Sequence, residues 1–132
     1  KAGIRVGFGQ DCLLDPWYSL GTADMLDVAF MGLHVAQMSS PADMRRCFDM
    51  VTRVNAEIMG LDHLGLAVGK TASLVVLDAG NPIEAVRLRA ERLCVVAKGK
   101  VVAERPKRDT ALSIAGRPAS INRRHVVPPQ GN

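Results

Sequence analysis

The sequence predicts an α/β fold built from an incomplete set of elements, and three observations lead there. A short apolar run at residues 4–8 lies between Gly3 and Gly9, two helical stretches follow between Thr22 and Gly60, and a strand with a hairpin occupies residues 74–103. One strand, two helices and a small β unit do not close a barrel or a sheet unaided. A piece of a larger fold is therefore expected. The chain starts at Lys1 with no initiator Met and enters its strand-like run within three residues, so a native amino terminus is not expected.

Each element has a local cause. Residues 4–8 hold two β-branched side chains between loop-forming glycines and are too few for a helix, which predicts a buried strand. The stretch 10–22 carries Asp11, Asp15, Pro16, Ser19 and Gly21, a loop composition, yet also Trp17 and Tyr18, which are costly to leave in water. A loop with buried aromatics often lines a pocket. Thr22 is placed to cap the next helix, and Met25, Leu26, Val28, Ala29, Leu33, Ala36 and Gln37 give it an apolar surface broad enough to predict that it is largely enclosed.

Ser40 then caps a second helix, with Pro41 in its first turn and Asp43 three residues on, where a carboxylate also meets the positive end of the helix dipole. Met44, Cys47, Phe48, Val51, Val54 and Ile58 form its predicted buried stripe, and Gly60 ends it. Beyond it, Leu74–Leu77 reads as a strand, residues 82–87 as a short helical turn, and residues 93–97 and 101–103 as a hairpin around Lys98 and Gly99. Pro106, Pro118, Pro128 and Pro129 predict an extended tail. No internal repeat or low-complexity segment interrupts this order.

Composition excludes several classes. With 132 residues, 48% of them hydrophobic, the chain holds enough apolar material for one core, and no stretch approaches the ~20 apolar residues of a membrane span. No charged-then-apolar signal peptide is expected from this text. Cys12, Cys47 and Cys94 are odd in number and irregularly spaced, which fits reduced thiols in a cytoplasmic protein. The net charge of +4 collects in Arg105, Lys107, Arg108, Arg117, Arg123 and Arg124, and no aromatic residue lies among them to stack on bases. A solvated basic tail accounts for it better than a nucleic-acid module.

Asp11 follows directly on the predicted strand, the position where α/β barrels keep their catalytic groups. Alone, such an Asp is more often a cap or turn former. The wider text adds to it: VGFGQDCLLDPWYSLGTADMLDVAFMGLHVAQM resembles the last barrel strand and following helix of cytosine deaminases of the amidohydrolase superfamily, and the DPWYSLG block is the most specific part. VTRVNAEIMGLDHLGLAVGKTASLVVLDAGN resembles that family's closing barrel helix and its return to a small β domain, and AKGKVVAER its final hairpin, so that residues 4–104 are covered.

The resemblance implies a fold class: an α/β fragment comprising the last strand and closing helices of a (β/α)8 barrel, followed by part of a small β-sandwich domain. The implied segments are residues 1–62 for the barrel, 63–105 for the small β domain with its hairpin, and 106–132 for an extended basic tail. It also implies that Asp11 is a metal ligand and a catalytic proton shuttle, and that one divalent metal ion, zinc or iron foremost, completes its ligand set from outside this chain. The family's HxH pair, two further histidines and catalytic Glu belong to earlier strands and are not in this sequence.

Trp17 would form part of a pyrimidine-binding wall, or would simply be a loop Trp packed on a barrel rim. Cys12 departs from the pattern, which places there a second Asp in contact with the base. A thiol cannot supply a carboxylate's acceptor pair, so isocytosine, a substituted pyrimidine or a triazine stands beside cytosine as substrate. Cys12 would then be a substrate contact; read blandly it is a buried space-filler, and no His lies near it to make it a nucleophile. His34, His63 and His125 lack partners at ligand spacing and read as structural or solvated. The H-x-E and P-C-x-x-C elements of the zinc-cysteine deaminases are absent from the sequence. Asp15 and Asp24 read as turn and helix-start residues.

The expected protein is thus a hydrolase acting on a C–N bond of a pyrimidine-like heterocycle. This chain alone is expected to be inactive, with the remaining barrel portion as its partner and homo-oligomerisation open. The alternative is a structural or interaction segment that packs on missing barrel strands or on another subunit.

Overall fold

The computed structural model describes residues 3–121. Among the described residues, helices α1 (Met25–Val35), α2 (Pro41–Met50) and α3 (Arg53–Ile58) come first, then strand β1 (Leu74–Leu77), helix α4 (Pro82–Leu88) and strands β2 (Arg92–Ala97), β3 (Lys100–Glu104), β4 (Thr110–Ala111) and β5 (Ser120–Ile121). β1, β2 and β3 form one antiparallel sheet in that order, and β4 and β5 pair separately. This is the α/β composition that the sequence predicts, with more short elements.

The core lies between helices. Leu26 and Ala29 of α1, Cys47 of α2, Val51, Ala85 and Val86 of α4, and Ala90 are buried together, with Phe8, Phe30, Phe48 and Leu77 packed against them. Small residues allow the close approach, since α1, α2 and α4 meet through Ala29, Cys47 and Ala85. The Cys47 thiol donates to the Ala29 carbonyl at 3.1 Å, and burial pushes its pKa up. It is an inert core thiol.

Local chemistry sets most boundaries. In α2, the Ser40 hydroxyl accepts from the Asp43 N–H at 3.1 Å and donates to the Asp43 carboxylate at 2.7 Å, which is the cap that the sequence predicts. Gly60, at φ +66°, ends α3 as predicted: its N–H reaches Glu57 O and that of Leu61 reaches Ala56 O, the paired bonds of a Schellman motif. In the hairpin, Ala97 pairs with Lys100 across Lys98 and Gly99, both at positive φ as a tight β-turn requires.

Five expectations are corrected. Residues 4–8 belong to no strand, and Ile4 is 76% exposed: among the described residues no strand pairs with this run, so there is no sheet to bury it. The cap of α1 is Asp24, whose carboxylate accepts from Leu26 N–H at 2.8 Å, while Thr22 supports it from outside. That helix is not enclosed, since Met31 and Val35 face solvent. The predicted second helix breaks into α2 and α3 at Thr52, whose φ of −128° and ψ of −100° leave the helical region while its hydroxyl bonds back to Phe48 O at 2.8 Å. The tail is not extended throughout, because β4 and β5 make a short ribbon; Arg123, Arg124, His125, Pro128 and Pro129 lie outside the described residues.

Candidate functional site

Phe8 delivers the site segment. Its N–H donates to Met50 O at 3.1 Å, its carbonyl accepts from Asn55 Nδ2 at 2.6 Å, and its ring lies on α1 over Gly32. A methyl group at Gly32 would sit 2.5 Å from the Phe8 ring, and one at Gly7 would sit 1.8 Å from Asn55 Oδ1. Glycine at both positions is what lets the run lie this close to the helices. From Phe8 the chain runs directly into Gly9, Gln10, Asp11 and Cys12, all of which line a cleft of ≈ 600 Å³.

Loop chemistry holds Asp11 and Cys12 at the mouth of that cleft. Asp15 accepts the N–H groups of Trp17 and Tyr18 at 2.9 and 3.0 Å, an Asx-type turn that folds the DPWY block back on itself. The Cys12 thiol lies 3.8 Å from Asp11 Oδ2. Its pKa is raised, first by a hydrogen bond to Asp15, then by desolvation and by the negative charge of Asp11, and the same Cys12 contact leads the causes that hold the Asp15 carboxyl low. The thiol is thus kept protonated, as a weak donor and not a thiolate nucleophile. Gly21 closes the loop: a Cβ there would fall 2.3 Å from the Cys12 carbonyl.

The structure brings Asp11 and Cys12 together on the cleft wall and leaves Trp17 apart, 89% exposed and outside the lining. Tyr18, its neighbour, lines the cleft in its place, together with Phe30 of α1. Of the lining residues that the sequence does not mark as site residues, three bear on its chemistry: Tyr18, Gln10 and Arg89. Tyr18 belonged to the same aromatic pair, and adjacency gave no means of choosing between them. Gln10, whose Oε1 is buried without a partner, was signalled only by its place before Asp11. Arg89 comes from the end of α4 and carried no signal.

As for a metal, Asp11 is an exposed carboxylate, a hard oxygen donor open to the cleft, and fits as one ligand. Among the described residues no group of three His, Cys, Asp or Glu side chains is placed to hold an ion. His34 is not a candidate: its Nδ1 is engaged with Phe30 O at 2.8 Å and its ring leans on Phe30. No described helix is long and apolar enough to cross a membrane.

Asp11 thus lies on the cleft wall, delivered by the run through Phe8 and faced by residues of α1. Comparison with known proteins gives the family: residues 1–103 match the model described as "Amidohydrolase family", and the chain belongs to that family. It is 32% identical to the N-isopropylammelide isopropyl amidohydrolase of Pseudomonas sp. (strain ADP), over 77% of this chain and 26% of that protein. Among solved structures it is similar to a 5-methylcytosine deaminase from Klebsiella pneumoniae liganded with phosphonocytosine, at 44% identity and a TM-score of 0.77, covering 81% of this chain and 26% of that one. The same deaminase liganded with 5-fluorocytosine matches at 42% identity and a TM-score of 0.79, over 84% of this chain and 27% of that one. The chain spans about a quarter of the length of these proteins. The resemblance to cytosine deaminase-like amidohydrolases is borne out.

Proposed function

We propose that the full-length protein carrying this chain is a metal-dependent hydrolase that deaminates a pyrimidine-like ring, and that Asp11 is its metal ligand and proton shuttle. In this reading residues 1–62 belong to the closing part of a (β/α)8 barrel and residues 63–105 to a small β domain. The 44% identity to a 5-methylcytosine deaminase, together with the place of Asp11 on the cleft wall, carries the proposal.

The reaction adds water to the ring carbon that bears the amino group, forms a C–O bond, breaks the C–N bond and releases ammonia. A bound zinc or iron ion would lower the pKa of the attacking water toward neutrality. Asp11 is the residue of this chain that would hold it, the other ligands being supplied from outside the chain. The Asp11 carboxylate accepts a proton from the water and returns it to the departing amino group. Its position beside the cleft, free of any cation partner among the ion pairs of the described residues, supports that exchange.

Cys12 directs the choice of substrate. A protonated thiol carries no charge and offers no carboxylate to the ring N–H groups, and it is smaller than Asp. That favours a ring with an added alkyl group, such as 5-methylcytosine or an N-substituted triazine, over cytosine. Tyr18 supplies the flat apolar wall within the cleft, and Trp17 joins it only where the rest of the barrel meets the loop.

A second reading has its own observation. Ile4, Leu14, Trp17, Leu20, Leu66 and Val68 are large apolar residues left exposed, more than a monomer leaves uncovered without a purpose. They fit a surface that packs against the remaining barrel or another subunit, and the chain alone is then inactive.

Ammonia release by the purified full-length protein tests the activity, with cytosine, 5-methylcytosine, isocytosine and an N-alkylated triazine as substrates. Asp11→Asn is expected to lower kcat by on the order of 10²–10⁴, and an added methyl group to be favoured by roughly 10-fold in kcat/KM. Ammonia release from every ring that survives Asp11→Asn, or release from none by the wild type, overturns the proposal.

A further inference from the structure

The described part of the chain holds two ion pairs that join the small β unit to the helix behind the cleft, and they are in register. Arg92, the first residue of β2, pairs with Asp24, the cap of α1; Arg89, which ends α4, pairs with Asp27, one turn into α1, at 3.8 Å. Both partners step by three residues, so the segment 89–92 lies alongside the first turn of α1.

Arg89 reaches this place through an uncommon backbone. Its φ of +46° is in the left-handed region that non-glycine residues seldom adopt. The turn is a Schellman cap, with Arg89 N–H on Val86 O and Ala90 N–H on Ala85 O, and it drops Ala90 into the core. The guanidinium carbon then lies 4.6 Å above the Phe30 ring, and Arg89, Phe30 and Asp27 all line the cleft with Asp11 and Cys12.

From Asp27 the contact passes to the site loop. Its second carboxylate oxygen accepts from the Thr22 hydroxyl at 2.8 Å, and Thr22 Oγ1 in turn accepts from Asp24 N–H at 3.2 Å. Next to Thr22 is Gly21, packed on the backbone of Cys12.

We infer that Arg89 and Arg92 are positioning residues for the site: two cations of the small β unit that fix the first turn of α1 and, through Asp27, Thr22 and Gly21, the placement of Cys12 beside Asp11. The role follows from where the contacts lead and not from their strength, since Arg89 is half-exposed and pairs of that kind stabilise weakly. Arg89 serves as a fork that stacks on Phe30 while facing Asp27, two tasks that a flat guanidinium performs together.

This inference rests on the proposed deaminase reading, so its test has one arm that needs no turnover. In the full-length protein, Arg89→Met and Asp27→Asn, singly and together, are compared with Arg89→Lys, which keeps the charge. Each single loss is expected to lower kcat/KM by roughly 10-fold, mainly through KM, and the double variant to lose no more than the larger single, because both act through one contact. Arg89→Lys is expected to recover at least half of that loss.

The second arm alkylates the protein with iodoacetamide and reads Cys12 by peptide mass spectrometry. Arg89→Met is expected to change the Cys12 rate by about fivefold while buried Cys47 stays unreacted. Unchanged Cys12 reactivity overturns the inference, as does additive loss in the double variant. A wild type without deaminase activity overturns the proposed function alone, and the alkylation arm still decides the positioning role.

Discussion

The three-helix core and the segment that carries the site obey different physics. Leu26, Ala29, Cys47, Ala85 and Val86 satisfy one another, with Val86 and Cys47 fully buried. Residues 3–20 hold nearly all the candidate chemistry, yet Ile4, Val6, Leu14, Trp17 and Leu20 face solvent, and what anchors the run is Phe8 with its bonds to Met50 and Asn55. The core is maintained by burial that it supplies itself. The site segment is held by a few polar contacts and by glycines that clear the way.

The largest expected stability effect is therefore in the core. Val86→Ala removes two methyl groups' worth of packing from a fully buried position and should cost about 2–3 kcal/mol with the cavity it leaves. Urea unfolding followed by circular dichroism measures it. A cost below about 1 kcal/mol would mean that α1, α2 and α4 can collapse around the gap, and that the contrast between the two regions is overstated.

The same contrast explains what was legible in the sequence. Ser40 with Asp43, Gly60, Pro82 and the Lys98-Gly99 turn are local devices, where a residue's own chemistry decides its conformation, and each stands where it was read. Residues 4–8 were not readable in this way: β-branched side chains favour a strand, but a strand needs hydrogen-bonding neighbours, and none among the described residues pairs with this run. The break at Thr52 was hidden because an apolar stripe continues through Val51 and Val54 while the hydroxyl competes for the backbone. At the site, Asp11 and Cys12 were legible from their block. Arg89 was not, since it enters the cleft through a left-handed turn 78 residues further on.

Asn55→Ala comes next in size and acts on the other region. It removes the donor to Phe8 O and the side chain that Gly7 packs on, and should weaken the anchorage of residues 3–10 by about 1 kcal/mol. Trypsin cleavage after exposed Arg5 is expected to speed up roughly fivefold, as the open form becomes that much more populated. The urea midpoint of the helical core should barely move. Equal effects on cleavage and on the core would show that the two regions unfold as one.

The smallest effect tests how the two regions are joined. Burial opposes ionisation of Asp24, but the Arg92 hydrogen bond, the Leu26 N–H and the Arg92 charge together outweigh it and hold its carboxyl below the usual range. A folded-state pKa below the unfolded value of about 3.9 gives stability that is present above that pH and is lost as pH falls through the folded value. The pair is only partly buried, so its contribution is no more than about 0.5–1 kcal/mol after solvent screening. Arg92→Gln should therefore lower the urea midpoint at pH 7 and converge with the wild type once the pH falls below the folded-state value, where Asp24 is protonated in both. A gap of the same size at both ends of that titration would assign the Arg92 contribution to packing of its aliphatic stem and take the charge out of the joint between the β unit and α1.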